Sequence, residues 1–98
     1  MPKFMRKNLP GLIVEAVQFD GSDKSADDIT VWIGKDVARV PAGGPGQDMA
    51  PALSVNDGNH GPMVAYTGDW IIKGPGDKKP YLVRGPKFAE LYSPLKGV

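Results

Sequence analysis

Ninety-eight residues allow one hydrophobic core and exclude a multidomain enzyme. Thirteen Gly and ten Pro make a turn-rich chain without the three-residue period of collagen, while 41% apolar residues, with two Trp, three Tyr and three Phe, exclude global disorder. A net charge of +1 is too small to hold nucleic acid by general electrostatics, and zero cysteine excludes disulfides and thiolate metal sites.

Residues 1–11 are polar, basic and broken by Pro2 and Pro10, which predicts a flexible lead-in before a single domain over residues 12–98. From Leu12, the residues Ile13, Glu15, Val17 and Phe19 alternate with Val14, Ala16 and Gln18, the pattern of a strand stopped by Asp20-Gly21. Ser25, with Asp28 three positions on, matches a helix start. The helix runs to Gly34 with Ile29, Trp32 and Ile33 on one apolar face, and Val37 to Val40 follows as a brief strand. Between Pro41 and Pro51 three Gly and three Pro leave no regular element, so this loop is either a mobile linker or a cover for a ligand.

Short strands then alternate with turns. Ala52 to Val55 leads through Asn56-Asp57-Gly58-Asn59-His60-Gly61, whose Asp-Gly step favours a hairpin, into Pro62 to Tyr66. Thr67-Gly68 separates that strand from Asp69 to Lys73, and Gly74 to Asp77 separates the latter from Lys79 to Val83. Pro86 opens a terminal helix in which Phe88, Leu91 and Tyr92 share a face. The fold class expected is α+β: β-α-β and then a meander, forming a small, strongly curved, mostly antiparallel sheet or open barrel with a short C-terminal helix.

The inventory for catalysis is thin. His60 is the sole histidine and sits in a turn, and Ser22, Ser25 and Ser54 lack the G-x-S-x-G elbow. Asp20, Asp23, Asp27 and Asp28 lack calcium-loop spacing and suit the start of a helix better. Gly74-Pro75-Gly76-Asp77-Lys78-Lys79 runs into a strand rather than a helix, so it is not a phosphate loop. Neither an enzyme nor a cofactor nor a metal is expected. No apolar run approaches the roughly 18 residues of a membrane span, and no secretory stretch opens the chain, so a cytoplasmic address is expected.

Charge is uneven: residues 1–12 carry +3, residues 13–70 carry −6 and residues 71–98 carry +4. In the basic second half, Trp70, Lys73, Lys78, Lys79, Tyr81 and Arg84 interleave aromatic with cationic groups, the set that suits a nucleobase-plus-phosphate ligand. Strand alternation opposes Trp70 to Ile71 and Tyr81 to Leu82; if Ile71 and Leu82 share one face and Trp70 and Tyr81 the other, Lys73 and Arg84 can converge on the first. The same residues equally suit an ordinary amphipathic sheet.

Two stretches resemble a widespread family of small bacteriophage proteins. One is Val14-Glu15-Ala16-Val17-Gln18-Phe19-Asp20-Gly21; the other is Gly68-Asp69-Trp70-Ile71-Ile72-Lys73-Gly74, followed by Tyr81, Arg84, Pro86, Phe88 and Tyr92. The resemblance covers about residues 12 to 34 and 64 to 93 and leaves the middle, Pro41 to Gly61, particular to this chain. Relatives commonly carry a cysteine near Val83, so any thiol role is absent here. What the resemblance implies is a viral accessory protein in the bacterial host cytoplasm that acts by binding. The expected partner is an anionic, nucleotide-type immune signal that the protein sequesters, with a homo-oligomer building the pockets. A host or phage protein partner is the alternative, and a small β-barrel nucleic-acid binder a third reading.

Overall fold

A computed structural model of the chain describes residues 3–40, 52–58, 60–73 and 79–94. The predicted loop over residues 41–51 and Lys78 lie outside the described residues. Ten elements follow one another: β1 (Lys3–Arg6), β2 (Leu9–Gln18), α1 (Asp23–Ile33), β3 (Val37–Val40), β4 (Ala52–Asp57), β5 (Gly61–Ala65), β6 (Trp70–Lys73), β7 (Tyr81–Val83), α2 (Gly85–Leu91) and β8 (Tyr92–Pro94). All the strand pairings are antiparallel, so the α+β class with a short C-terminal helix is as the sequence predicts.

The strands divide between two open sheets instead of forming one continuous meander. One has the order β7-β6-β2-β1-β8 and the other the order β3-β4-β5. The break falls between β5 and β6 for a packing reason. Ile71 and Ile72 are adjacent in β6 and both buried, so this strand needs cover on both faces and takes an interior place beside β2. By contrast β4 buries Leu53, Val55 and Asp57 on one face only.

Three layers result. On one face of the five-stranded sheet, Phe19, Ile71 and Leu82 pack with Ala26 and Ile29 of α1 and with Val37, Leu53, Val55 and Ala65 of the small sheet. On the other face Phe4, Val14, Ala16, Ile72 and Tyr92 pack with Phe88 of α2. Trp70 lies parallel to Phe88 at 3.9 Å, Tyr92 stacks on Phe88 at 5.1 Å, and Phe4 meets Trp70 and Phe88 edge-on. As predicted, Trp32 and Ile33 border the core beside Ile29.

The flexible lead-in expected over residues 1–11 is corrected: Lys3 to Arg6 form an interior strand between β2 and β8, and β2 begins at Leu9. One residue decides this, because Phe4 is the buried side chain of β1 and supplies the edge of the aromatic cluster. Lys7 then bonds the end of α2, its backbone N–H to the Leu91 carbonyl at 2.8 Å and its Nζ to the Ala89 carbonyl at 2.7 Å. Helix α1 also starts earlier than predicted. Ser22 is its cap, its hydroxyl accepting from the Ser25 N–H at 3.0 Å, and Asp20 Oδ1 accepts from the Ser22 N–H at 2.8 Å.

Candidate functional site

The two family-like stretches are adjacent strands of one ladder. Glu15 faces Lys73, Ala16 faces Ile72, Val17 faces Ile71 and Gln18 faces Trp70. Lys3 flanks Glu15 on its other side, so β1, β2 and β6 present a row of alternating charge. At the end of this ladder the turn Tyr66-Thr67-Gly68-Asp69 closes through the Asp69 N–H to the Tyr66 carbonyl at 3.0 Å. Gly68 has φ +96°, the backbone that a type II turn requires at its third position. Its carbonyl accepts from Gln18 Nε2 at 3.1 Å, and Gly85 approaches so closely that a Cβ there would stand 2.6 Å from that oxygen.

Register separates the described residues among the six predicted as a ligand site. In the β6–β7 ladder Ile71 faces Leu82 and Ile72 faces Tyr81, so alternation on the two faces is as predicted. Continuing that register, Lys73 lies opposite Pro80 while Arg84 lies opposite Asp69. Lys73 and Arg84 therefore share a face but stand at opposite ends of it, roughly 13 Å apart along the strands. They do not converge. Trp70 spends one ring face on Phe88 within the second core. Tyr81 packs beside that core and over Gly58, with the exposed Lys79 next to it.

A different grouping forms at the Arg84 end. Asp69 is buried and its Oδ2 accepts from the Tyr66 N–H at 2.9 Å and from Arg84 Nη1 at 2.6 Å. The same Nη1 donates to the Val64 carbonyl at 3.1 Å, and the guanidinium carbon lies 6.0 Å from the centre of the Tyr66 ring. Arg84 is thus fixed by a buried carboxylate while its side chain stays 49% exposed, beside Tyr66 at 55% and the exposed Val64. The corner therefore sets an exposed cation, anchored on a buried carboxylate, beside an exposed aromatic ring. Sequence reasoning singled out Arg84 and missed Tyr66 and Asp69. The missed signal was the tight turn, which returns Tyr66 to Asp69 while the ladder brings Arg84 across from it.

The sheet edges near this corner are closed to further strands. Pro62 of β5 offers no N–H and the Val64 carbonyl is taken by Arg84. The outer edge of β7 is met by the β4–β5 turn: Gly58 N–H bonds the Pro80 carbonyl at 3.0 Å, and Leu82 N–H bonds Asp57 Oδ2 at 2.8 Å. His60 is exposed, with its backbone N–H on Asp57 Oδ1 at 3.0 Å. Among the described residues no group of three or more His, Asp or Glu stands ready for a metal ion, and no helix is long and apolar enough to cross a membrane.

No family model, curated protein or solved structure matches the chain.

Proposed function

We propose that the protein is a non-catalytic accessory binding protein of the bacteriophage class that its two motifs resemble. It works in the cytoplasm of the bacterial host and docks a protein partner through Arg84, Tyr66 and Val64. The observation that carries this reading is the anchoring of a half-exposed Arg84 on buried Asp69 beside an exposed aromatic ring. Arg and Tyr are enriched in protein-binding hot spots, and here the rotamer-rich Arg84 is already held by Asp69 before any partner arrives. Sequestration of a nucleotide draws on the aromatic, Lys/Arg and glycine-rich loop residues of the second half and on pockets shared between chains, and it is kept as the second reading because Lys73 and Arg84 stand apart within one chain.

Affinity capture from host lysate with wild type, Tyr66→Ala and Arg84→Lys is the test. One stoichiometric partner that is lost with both variants supports docking at this corner; a partner retained equally by all three overturns it. Calorimetry against cyclic di- and trinucleotides and ADP-ribose runs beside it, and saturable heat abolished by Arg84→Lys would replace protein docking with the nucleotide reading. Self-association belongs to the same proposal. Ile13, 42% exposed on the sheet face it shares with Val17, is the contact we assign to it, and a sedimentation coefficient that is monomeric at every concentration would remove it.

A further inference from the structure

Resting on that reading of the Arg84 corner, we infer that the group it receives is a single carboxylate, bound side-on by Nε and Nη2 of Arg84. A guanidinium has five N–H donors in a planar fork, two of them on Nη1. Both Nη1 hydrogens are spent, one on Asp69 Oδ2 at 2.6 Å and one on the Val64 carbonyl at 3.1 Å. Among the described residues Nε and Nη2 donate to nothing, and they point along the edge of the fork whose two parallel N–H groups match the two oxygens of a carboxylate or phosphate.

Charge separates those two anions. Asp69 cancels the charge of Arg84, so the corner offers directed hydrogen bonds with almost no net positive field. A dianionic phosphate brings a second negative charge towards the buried Asp69 carboxylate, whereas a carboxylate brings one and accepts the same two bonds. The exposed Val64 and Tyr66 beside the fork suit the apolar stem of a glutamate or the flank of a chain terminus. Asp69 is a positioning residue here, since it touches the arginine rather than the ligand.

The Arg84 Nε–H resonance in an amide-and-side-chain NMR spectrum reads the site directly, with N-acetylglutamate capped at its α-carboxyl as the methylamide so that it carries one carboxylate, inorganic phosphate and sodium chloride as separate probes. A saturable shift of Nε–H with the capped glutamate in the millimolar range, weaker by several-fold with phosphate and absent with chloride, is expected. A shift no larger than that given by chloride, or one stronger with phosphate, overturns the inference. Arg84→Lys keeps a cation for Asp69 and so preserves the fold, but it lacks the fork. If capture of the protein partner survives this variant and depends on Tyr66, docking at the corner stands and the carboxylate fork is overturned; if capture depends on neither residue while Nε–H still saturates with the capped glutamate, the docking reading fails and the fork is supported.

Discussion

Replacing Asp57 by alanine tests how the two sheets are joined. Asp57 is 3% exposed at the end of β4, yet its Oδ2 accepts the Leu82 N–H on the outer edge of β7, and its Oδ1 accepts the His60 N–H of its own turn. The side chain therefore stands where another strand would pair with β7. Removing it leaves the Leu82 N–H buried and unpaired at about 2 kcal/mol, and the half-buried His60 N–H adds about 1 kcal/mol because water reaches it more easily. A total near 3 kcal/mol is a large share of the roughly 5–15 kcal/mol that holds such a domain folded. Thermal unfolding followed by tryptophan fluorescence reads this as a Tm lowered by roughly 12–24 °C. Asp57→Asn keeps one acceptor and loses about half as much. The exposed His60 imidazole, with Nδ1 at 3.4 Å from Asp57 Oδ1, contributes little by comparison, so His60→Ala shifts stability by less than about 0.5 kcal/mol. A loss below about 0.5 kcal/mol in Asp57→Ala, or an equal loss in His60→Ala, would refute the view that backbone donors are what this carboxylate serves.

Gly85→Ala raises helix propensity, yet it is expected to cost about 1–2 kcal/mol in urea unfolding because its Cβ meets the Gly68 carbonyl at 2.6 Å; unchanged stability would mean that the turn yields freely. Phe4→Ala is expected to cost about 3–4 kcal/mol, since Phe4 is buried against Trp70 and Phe88, and a loss under about 1 kcal/mol would return residues 1–11 to the role of a loose lead-in. The Asp20 carboxyl is held below the ordinary value of 3.8, first by the Ser22 side chain and then by the Ser22 backbone N–H. Because the folded value is the lower one, its contribution is present above the ordinary value and is lost as pH falls below it, through the folded value. Asp20→Asn should therefore lessen the loss of stability on acidification through that window, and equal acid slopes for variant and wild type would count against the cap.

Alternation along the chain was enough to separate Ile71 from Trp70 and Leu82 from Tyr81, while the strand pairing puts Ile71 and Leu82 on one core and Trp70 and Tyr81 on the other. Register is a different quantity. It depends on which residue of β7 meets which residue of β6, and no local pattern near Lys73 or Arg84 states that. Pairing Ile71 with Leu82 puts Lys73 and Arg84 at opposite ends of the ladder, so a site inferred from faces alone drew together residues that the pairing holds apart. The missed strand β1 has a similar cause. Four residues, Lys-Phe-Met-Arg, contain one buried side chain, and its two ring partners, Trp70 and Phe88, come from the far end of the chain. Long-range contact, rather than local periodicity, makes that segment a strand.

Most of the described residues in the two family-like stretches have a structural task in this fold, and that bears on where the proposed docking surface lies. Gly68 makes the turn, Asp69 closes it and holds Arg84, Trp70 and Ile72 serve one core, Ile71 the other, and Lys73 faces Glu15. Gln18 supports the Gly68 carbonyl, Phe19 fills the first core, and Asp20 fastens the start of α1. Residues with such tasks would be required whatever the protein bound. On the proposed docking reading, specificity then comes from groups that the architecture positions without consuming. Tyr66 and the Nε and Nη2 edge of Arg84 meet that condition together, one on each side of the same turn. Substituting Tyr66 should therefore change what the protein binds while leaving its unfolding transition almost where it was, whereas substituting Gly68 or Asp69 should move both.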